Sequence, residues 1–238
     1  MADSFQQGTS LEHGRLVKLL EEQMAHIEKR FGDRGLYDVS QKVHDSFERA
    51  PKITQEILRP NYWIRIAVAF MAILMLVTIV MGFSQLDFGL GDGWSVLEGI
   101  EAGISTLVYS GIAIIFLVSL EIRQRRQRTL KALQELRALA HVLDMHQMNK
   151  DPEQLVFTAE LSDEVAESIM TPFLLERYLD YTADLLSLVG KLAAWYAQKV
   201  NDPEVLIAIN EIEQLTGDMT RKIWQKIGII NSVHGTRT

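Results

Sequence analysis

The sequence predicts an all-α integral membrane protein, in which a hairpin of two membrane-crossing helices carries a cytoplasmic helical-bundle module. Three observations predict it. The 18 residues from Ile66 to Phe83 carry no charge, and only Thr78 and Gly82 among them are not plainly apolar. The 17 residues from Ile104 to Leu120 are also uncharged, and this run extends outward through Ala102 and Gly103 before it meets Glu101. Crossing the hydrocarbon core takes roughly 20 residues at about 1.5 Å each, so each run suffices for one span. Finally, helix signals recur along the rest of the chain while strand patterns are almost absent.

This divides the chain into N-terminal cytoplasmic helices over 1–60, a hairpin over 61–121 and a C-terminal cytoplasmic helical domain over 122–238. The spans are expected at about 62–83 and 102–121, with an outer loop at 84–101. Orientation follows from the basic residues. The segment from Ser84 to Gly103 has no Lys or Arg and carries Asp87, Asp92, Glu98 and Glu101. Arg49, Lys52, Arg59 and Arg65 precede the first span, and Arg123, Arg125, Arg126, Arg128 and Lys131 follow the second. Basic flanks stay on the cytoplasmic side, so both termini are expected there, in an inner membrane. Arg65 lies one turn inside the first span, where its long stem can snorkel to the interface.

Composition narrows the function classes. A net charge of −7 argues against nucleic acid as a partner, since a phosphate-binding surface needs a basic excess. The basic run after Leu120 fits orientation and attraction to anionic lipid. The absence of cysteine excludes disulfides, thiol chemistry and Cys-based zinc sites. No signal peptide is expected, because Leu11 to Phe31 is amphipathic and charged, so the first span acts as its own insertion signal.

Taken in order, Ser10 can cap a first helix with apolar residues Leu16, Leu20, Met24, Ile27 and Phe31, ended by Gly32. A second helix is expected over Asp38 to Arg49, with a short one after Pro51. Pro60 then suits the first turn of the first span. Between Glu121 and Asn149 no Gly or Pro interrupts, and Leu133, Leu136, Ala140, Leu143 and Gln147 follow 3, 4, 3, 4 spacing. The second span should therefore continue as one long helix ending in a coiled-coil-like seam. Asp151-Pro152-Glu153, Thr171-Pro172 and Asp202-Pro203-Glu204 each place a capping oxygen before a proline at the first helical position. Ser162, followed by Asp163 and Glu164 but by no proline, reads as a weaker cap. The last two amphipathic helices are read from Phe173, Tyr181, Leu185, Leu188, Leu192, Trp195 and Tyr196, and from Ile209, Ile212, Leu215, Met219, Ile223, Ile227 and Ile230. Joined by Asn201-Asp202, they should pack antiparallel.

No enzyme is expected, and no cofactor, because nucleotide, metalloprotease, dinucleotide and nucleophile-elbow signatures are all missing. The run Gly89-Leu-Gly91-Asp-Gly93 lacks a following Lys and a preceding strand, so it reads as a turn. His141 and Asp144 lie one turn apart on one helix face and could offer two ligands to a divalent ion, while His146 points elsewhere. The same cluster also reads as a polar seam or cap.

The outer stretch is a sharper candidate. Trp94-Ser95-Val96-Leu97-Glu98-Gly99-Ile100 leads into the second span and sets Glu98 and Glu101 one turn apart at its outer end. In a symmetric oligomer such residues become rings of carboxylates at a pore mouth, a cation-concentrating device. The Trp94 to Glu98 spacing resembles the pore hairpin of the mitochondrial calcium uniporter family, where a Trp-Asp-x-x-Glu-Pro motif stands between two spans and its Glu forms the filter. Ser95 replaces the Asp and Gly99 the Pro, so the second acidic ring and the helix-starting proline are absent. The resemblance implies a cation pore with Glu98 as its filter residue. Ser95-x-x-Glu98 also reads as a capping box, with Trp94 as an interfacial anchor.

Gly103, Ser105, Thr106, Ser110, Gly111, Ala113 and Ser119 make the second span small and polar enough for close helix approach, so a homo-oligomer is expected. The first span, rich in Leu, Ile, Met and Val, suits the lipid bilayer. The sequence thus favours an oligomeric cation channel or transport pore. The alternative is a non-conducting membrane anchor that displays a helical module to a cytoplasmic partner.

Overall fold

The computed structural model describes residues 12–32, 35–84, 93–148, 150 and 170–235. These residues form six helices and no strand: α1 His13–Phe31, α2 Leu36–Leu58, α3 Tyr62–Ser84, α4 Gly93–Met148, α5 Pro172–Ala197 and α6 Pro203–Gly235. The expected caps at Ser10, Asp151 and Ser162, and most of the glycine run from Gly89, lie outside the described residues.

The chain divides into two compact units. One holds Met1–Glu56 and Thr129–Thr238, the other Ile57–Arg128. Helix α4 contributes to both, through 93–128 and 129–148.

In the first unit, α1 buries Leu16, Leu20, Ile27 and Phe31. Gly32 ends it with φ 48° and ψ −123°, its N–H reaching the Glu28 carbonyl at 2.9 Å. A side chain at this φ would be strained, which explains a glycine here. Instead of two pieces, α2 is one helix with Pro51 inside it. The buried residues Leu36, Val39, Val43, Phe47, Ala50, Thr54 and Ile57 form a single stripe on both sides of the proline. Their burial offsets the cost of an internal proline, about 3 kcal/mol. Proline has no N–H to give the Phe47 carbonyl four residues back. His13 Nε2 donates to that carbonyl instead, at 2.9 Å.

His13→Ala should therefore cost about 1 kcal/mol, the net worth of a hydrogen bond. In a Pro51→Ala background, which restores the missing N–H, the same change should cost much less. A double-mutant cycle by thermal denaturation measures the difference, and equal costs in both backgrounds would refute this account.

The uninterrupted helix expected beyond Glu121 is present, because α4 runs 56 residues to Met148. Its seam residues Leu133, Leu136, Ala140, Leu143 and Gln147 are all buried, with Thr129 and Ala132 beside them. The helix also starts earlier than expected, at Gly93 rather than near Ala102. Nothing from Trp94 to Glu101 breaks the backbone ladder, so the helix outlasts the apolar run that revealed it. Ser95 consequently sits within the first turn, not in front of it.

Helix α5 is buried on more sides than the amphipathic reading implied. Leu175, Tyr178, Leu179, Leu186, Val189 and Ala193 join the expected Tyr181, Leu185, Leu188, Leu192, Trp195 and Tyr196 in the interior. Such a helix belongs at the centre of a bundle. Phe173 departs from the pattern at 57 % exposed, with the Arg30 and Arg177 guanidiniums 6.0 and 5.6 Å from its ring centre. The α5 cap is Thr171 Oγ1, which accepts from Leu174 N at 3.3 Å. Asp202 Oδ1 caps α6, accepting from Glu204 N and Val205 N at 3.0 and 3.2 Å. Helix α6 packs along α5 and buries Ile209, Ile212, Met219, Ile223, Ile227 and Ile230, while Leu215 is half-buried.

In the second unit, α3 and α4 are long and apolar enough to cross a membrane, and none of their apolar stretch is buried. Ile66, Phe70, Ile73, Leu76 and Val80 are exposed on α3, as are Ile104, Tyr109, Ile112, Ile115 and Phe116 on α4.

Candidate functional site

The outer acidic stretch is the first candidate. Position 98 is helical, but the side chains of Trp94, Ser95 and Glu98 lie outside the described residues. Glu101 is exposed within α4. Below it, half-buried residues form one stripe on each helix: Ile64, Val68, Met71, Met75 and Ile79 on α3, and Thr106, Ser110, Ala113, Leu117 and Leu120 on α4. Partial burial of this kind is what close approach of the two helices would produce, and Thr106, Ser110 and Ala113 of the small, polar surface of α4 share in it. Gly103 and Ser119 stay exposed, and Gly111 has room for a side chain. The Ser119 hydroxyl donates back to the Ile115 carbonyl at 2.7 Å, the usual fate of a hydroxyl on an apolar helix.

The second candidate is the C-terminal end of α4. His141 is exposed, and Asp144 Oδ1 accepts from Gln147 Nε2 at 2.6 Å. Among the described residues no three His, Cys, Asp or Glu side chains group as a metal site would require. The structure instead surrounds the helix end with donors. The Tyr178 hydroxyl donates to the His146 carbonyl at 3.4 Å, and Lys226 Nζ to the Gln147 carbonyl at 3.2 Å. These donors satisfy carbonyls that a helix end leaves without partners. Burial holds the Tyr178 phenol above its ordinary pKa, so it remains a neutral donor. Lys150 Nζ stands 5.6 Å from the Tyr178 ring centre. A side chain on Gly35 would come within 2.9 Å of the His146 ring, which explains a glycine there. The expected polar seam is therefore a junction, with α4, α5 and α6 joined by hydrogen bonds and Gly35 lying against it.

Sequence reasoning missed the polar stripe on α5. Arg177, Asp180, Asp184, Ser187 and Lys191 recur at 3- and 4-residue spacing on an otherwise buried helix, a signal masked by the stronger apolar pattern around it. Arg177 Nη1 meets Asp180 Oδ2 at 3.3 Å, and Gln23 Nε2 of α1 donates to Asp184 Oδ2 at 3.0 Å. Further along, a cleft of about 290 Å³ opens between α5 and α6, with Ser187, Lys191, Glu213, Thr216 and Thr220 on its walls. Tyr196 is also buried, and burial together with nearby Glu135 outweighs Arg49 to push its phenol up to about 12.

Asp184 makes the module sensitive to pH. Burial and the neighbouring Asp180 carboxylate raise its pKa against the opposing pull of Lys191. A carboxyl whose pKa is higher folded than unfolded destabilises the fold above the folded pKa, and the penalty disappears below the ordinary value, near 4. Asp184→Asn keeps an acceptor for Gln23 and offers an N–H to Gln23 Oε1, a buried atom without a partner. Its melting temperature should exceed the parent's at pH 7 and approach it toward pH 3.5. Denaturation scans across that range test this, and an unchanged difference at both pH values would refute it.

No protein-family profile, curated relative or solved structure matches the chain.

Proposed function

We propose that the protein is a membrane-anchored helical scaffold, whose hairpin α3–α4 spans the bilayer and holds the helical module at the cytoplasmic surface for a partner protein. The observation that carries this reading is the contrast between the two units. One has a buried core drawn from α1, α2, α4, α5 and α6. The other is two helices whose large apolar side chains are mostly exposed, the rest only half-buried and none in the apolar stretches fully buried. Water would not tolerate that surface, whereas lipid tails match it. Basic residues at the module end of the hairpin support the cytoplasmic orientation.

The second reading is a homo-oligomeric cation pore, favoured by one feature. Glu101 is exposed near the outer end of α4, in a stretch from Ser84 to Gly103 that has four acidic residues and no Lys or Arg. Carboxylate rings built from Glu98 and Glu101 would concentrate cations at a pore mouth.

Flux measurements on the full chain in liposomes separate the two. The scaffold reading expects no cation flux over a range of ions and pH, and no effect of Glu98→Gln or Glu101→Gln. A flux abolished by Glu98→Gln with the oligomer intact would overturn it in favour of the pore.

A further inference from the structure

The base of the hairpin carries an arginine cluster that the functional readings use for orientation alone. Asn61 Nδ2 donates to Gln124 Oε1 at 3.0 Å, tying the start of α3 to α4. Arg59 and Arg65 fall within four residues of Asn61, and Arg123, Arg125, Arg126 and Arg128 within four residues of Gln124. The unit Ile57–Arg128 contains no lysine, although the whole chain has ten. Two acidic residues lie close to this base in sequence: Glu121, which is engaged by Arg125 at 3.4 Å, and Glu56, which also has a contact within the protein. Beside the tie, Tyr62 and Trp63 are 69 % and 81 % exposed, aromatic groups of the kind that settle at headgroup level.

We propose that this base is a binding site for anionic phospholipid headgroups, with the guanidiniums of Arg59, Arg65 and Arg123 gripping the lipid phosphodiester. The inference rests on the hairpin spanning the bilayer. A planar guanidinium offers paired N–H donors that match two phosphate oxygens, whereas an ammonium acts as a point charge, so an all-arginine base suits phosphate recognition beyond orientation alone. All three side chains are exposed, and the Asn61–Gln124 bond ties together the two chain segments that carry the cluster. Arg125, Arg126 and Arg128 have contacts within the protein and add to the local potential.

The test uses the full chain reconstituted in vesicles of phosphatidylcholine alone and of an equimolar mixture with phosphatidylglycerol. Retained lipid is counted by native mass spectrometry. Phosphatidylglycerol should be retained in preference, and each arginine changed to glutamine should weaken that preference about fivefold. The triple change to lysine should recover only part of the preference, and full recovery would overturn the guanidinium grip. Inorganic phosphate at matched ionic strength should not compete, and displacement by it would assign the cluster to a free anion instead. Flotation separates the two levels of failure. A chain that floats with neutral vesicles but shows no phosphatidylglycerol preference sinks this site alone, while one that does not float sinks the membrane reading as well.

Discussion

Replacing Gly190 with valine should lower the melting temperature of the helical module by roughly 5–10 °C, the equivalent of about 2–3 kcal/mol in a chain of this size. A β-carbon at this position would stand 2.8 Å from Thr216 Oγ1 and 3.7 Å from Thr216 Cβ. Thr216 cannot easily yield. It is buried, and its hydroxyl donates to the Ile212 and Glu213 carbonyls at 2.9 and 3.1 Å. The crossing of α5 and α6 therefore depends on the missing side chain. Gly217→Ala is the control, because a β-carbon there meets nothing within 4 Å and the change should stabilise the helix by up to about 1 kcal/mol. Combining Gly190→Ala with Thr216→Ala should recover stability relative to Gly190→Ala alone. A Gly190→Val protein that melts like the parent would refute the close approach.

Leu185→Ala should cost about 2–5 kcal/mol, the range for truncating a fully buried leucine. Leu185 is 0 % exposed at the middle of α5, so removing its methyls leaves a cavity that neighbours on several sides would have to fill together. Leu206→Ala makes the same chemical change on α6 at a side chain that is 41 % exposed, and should cost much less. Thermal denaturation of both variants decides the matter. Equal losses would mean that α5 is not the centre of the bundle.

The uncharged runs at Ile66 to Phe83 and Ile104 to Leu120 were legible because length and apolarity are local properties of the chain. The stop at Gly32, the caps at Thr171 and Asp202 and the seam from Leu133 to Gln147 were legible for a similar reason, since backbone geometry and 3.6-residue periodicity act within one helix. Metal ligation was not legible at His141 and Asp144, because it depends on what other helices bring to the same point. Asp144 has Gln147 as its partner, and Tyr178 and Lys226, remote in sequence, complete the junction beside it.

The sequence by itself determined an all-helical chain with two helices long and apolar enough to cross a membrane, since each property follows from residues close together along the chain. Only the tertiary structure decided that α2 passes through Pro51, that α5 is buried on several sides and that Asp184 lies beside Gln23. Each of these needs a distant partner: His13 for the carbonyl that Pro51 leaves open, the surrounding helices for α5, and α1 for the Asp184 carboxylate. Local patterning selects helices and their apolar faces, but a carbonyl, a carboxylate or a glycine acquires its role from atoms that the fold brings to within a few ångströms of it.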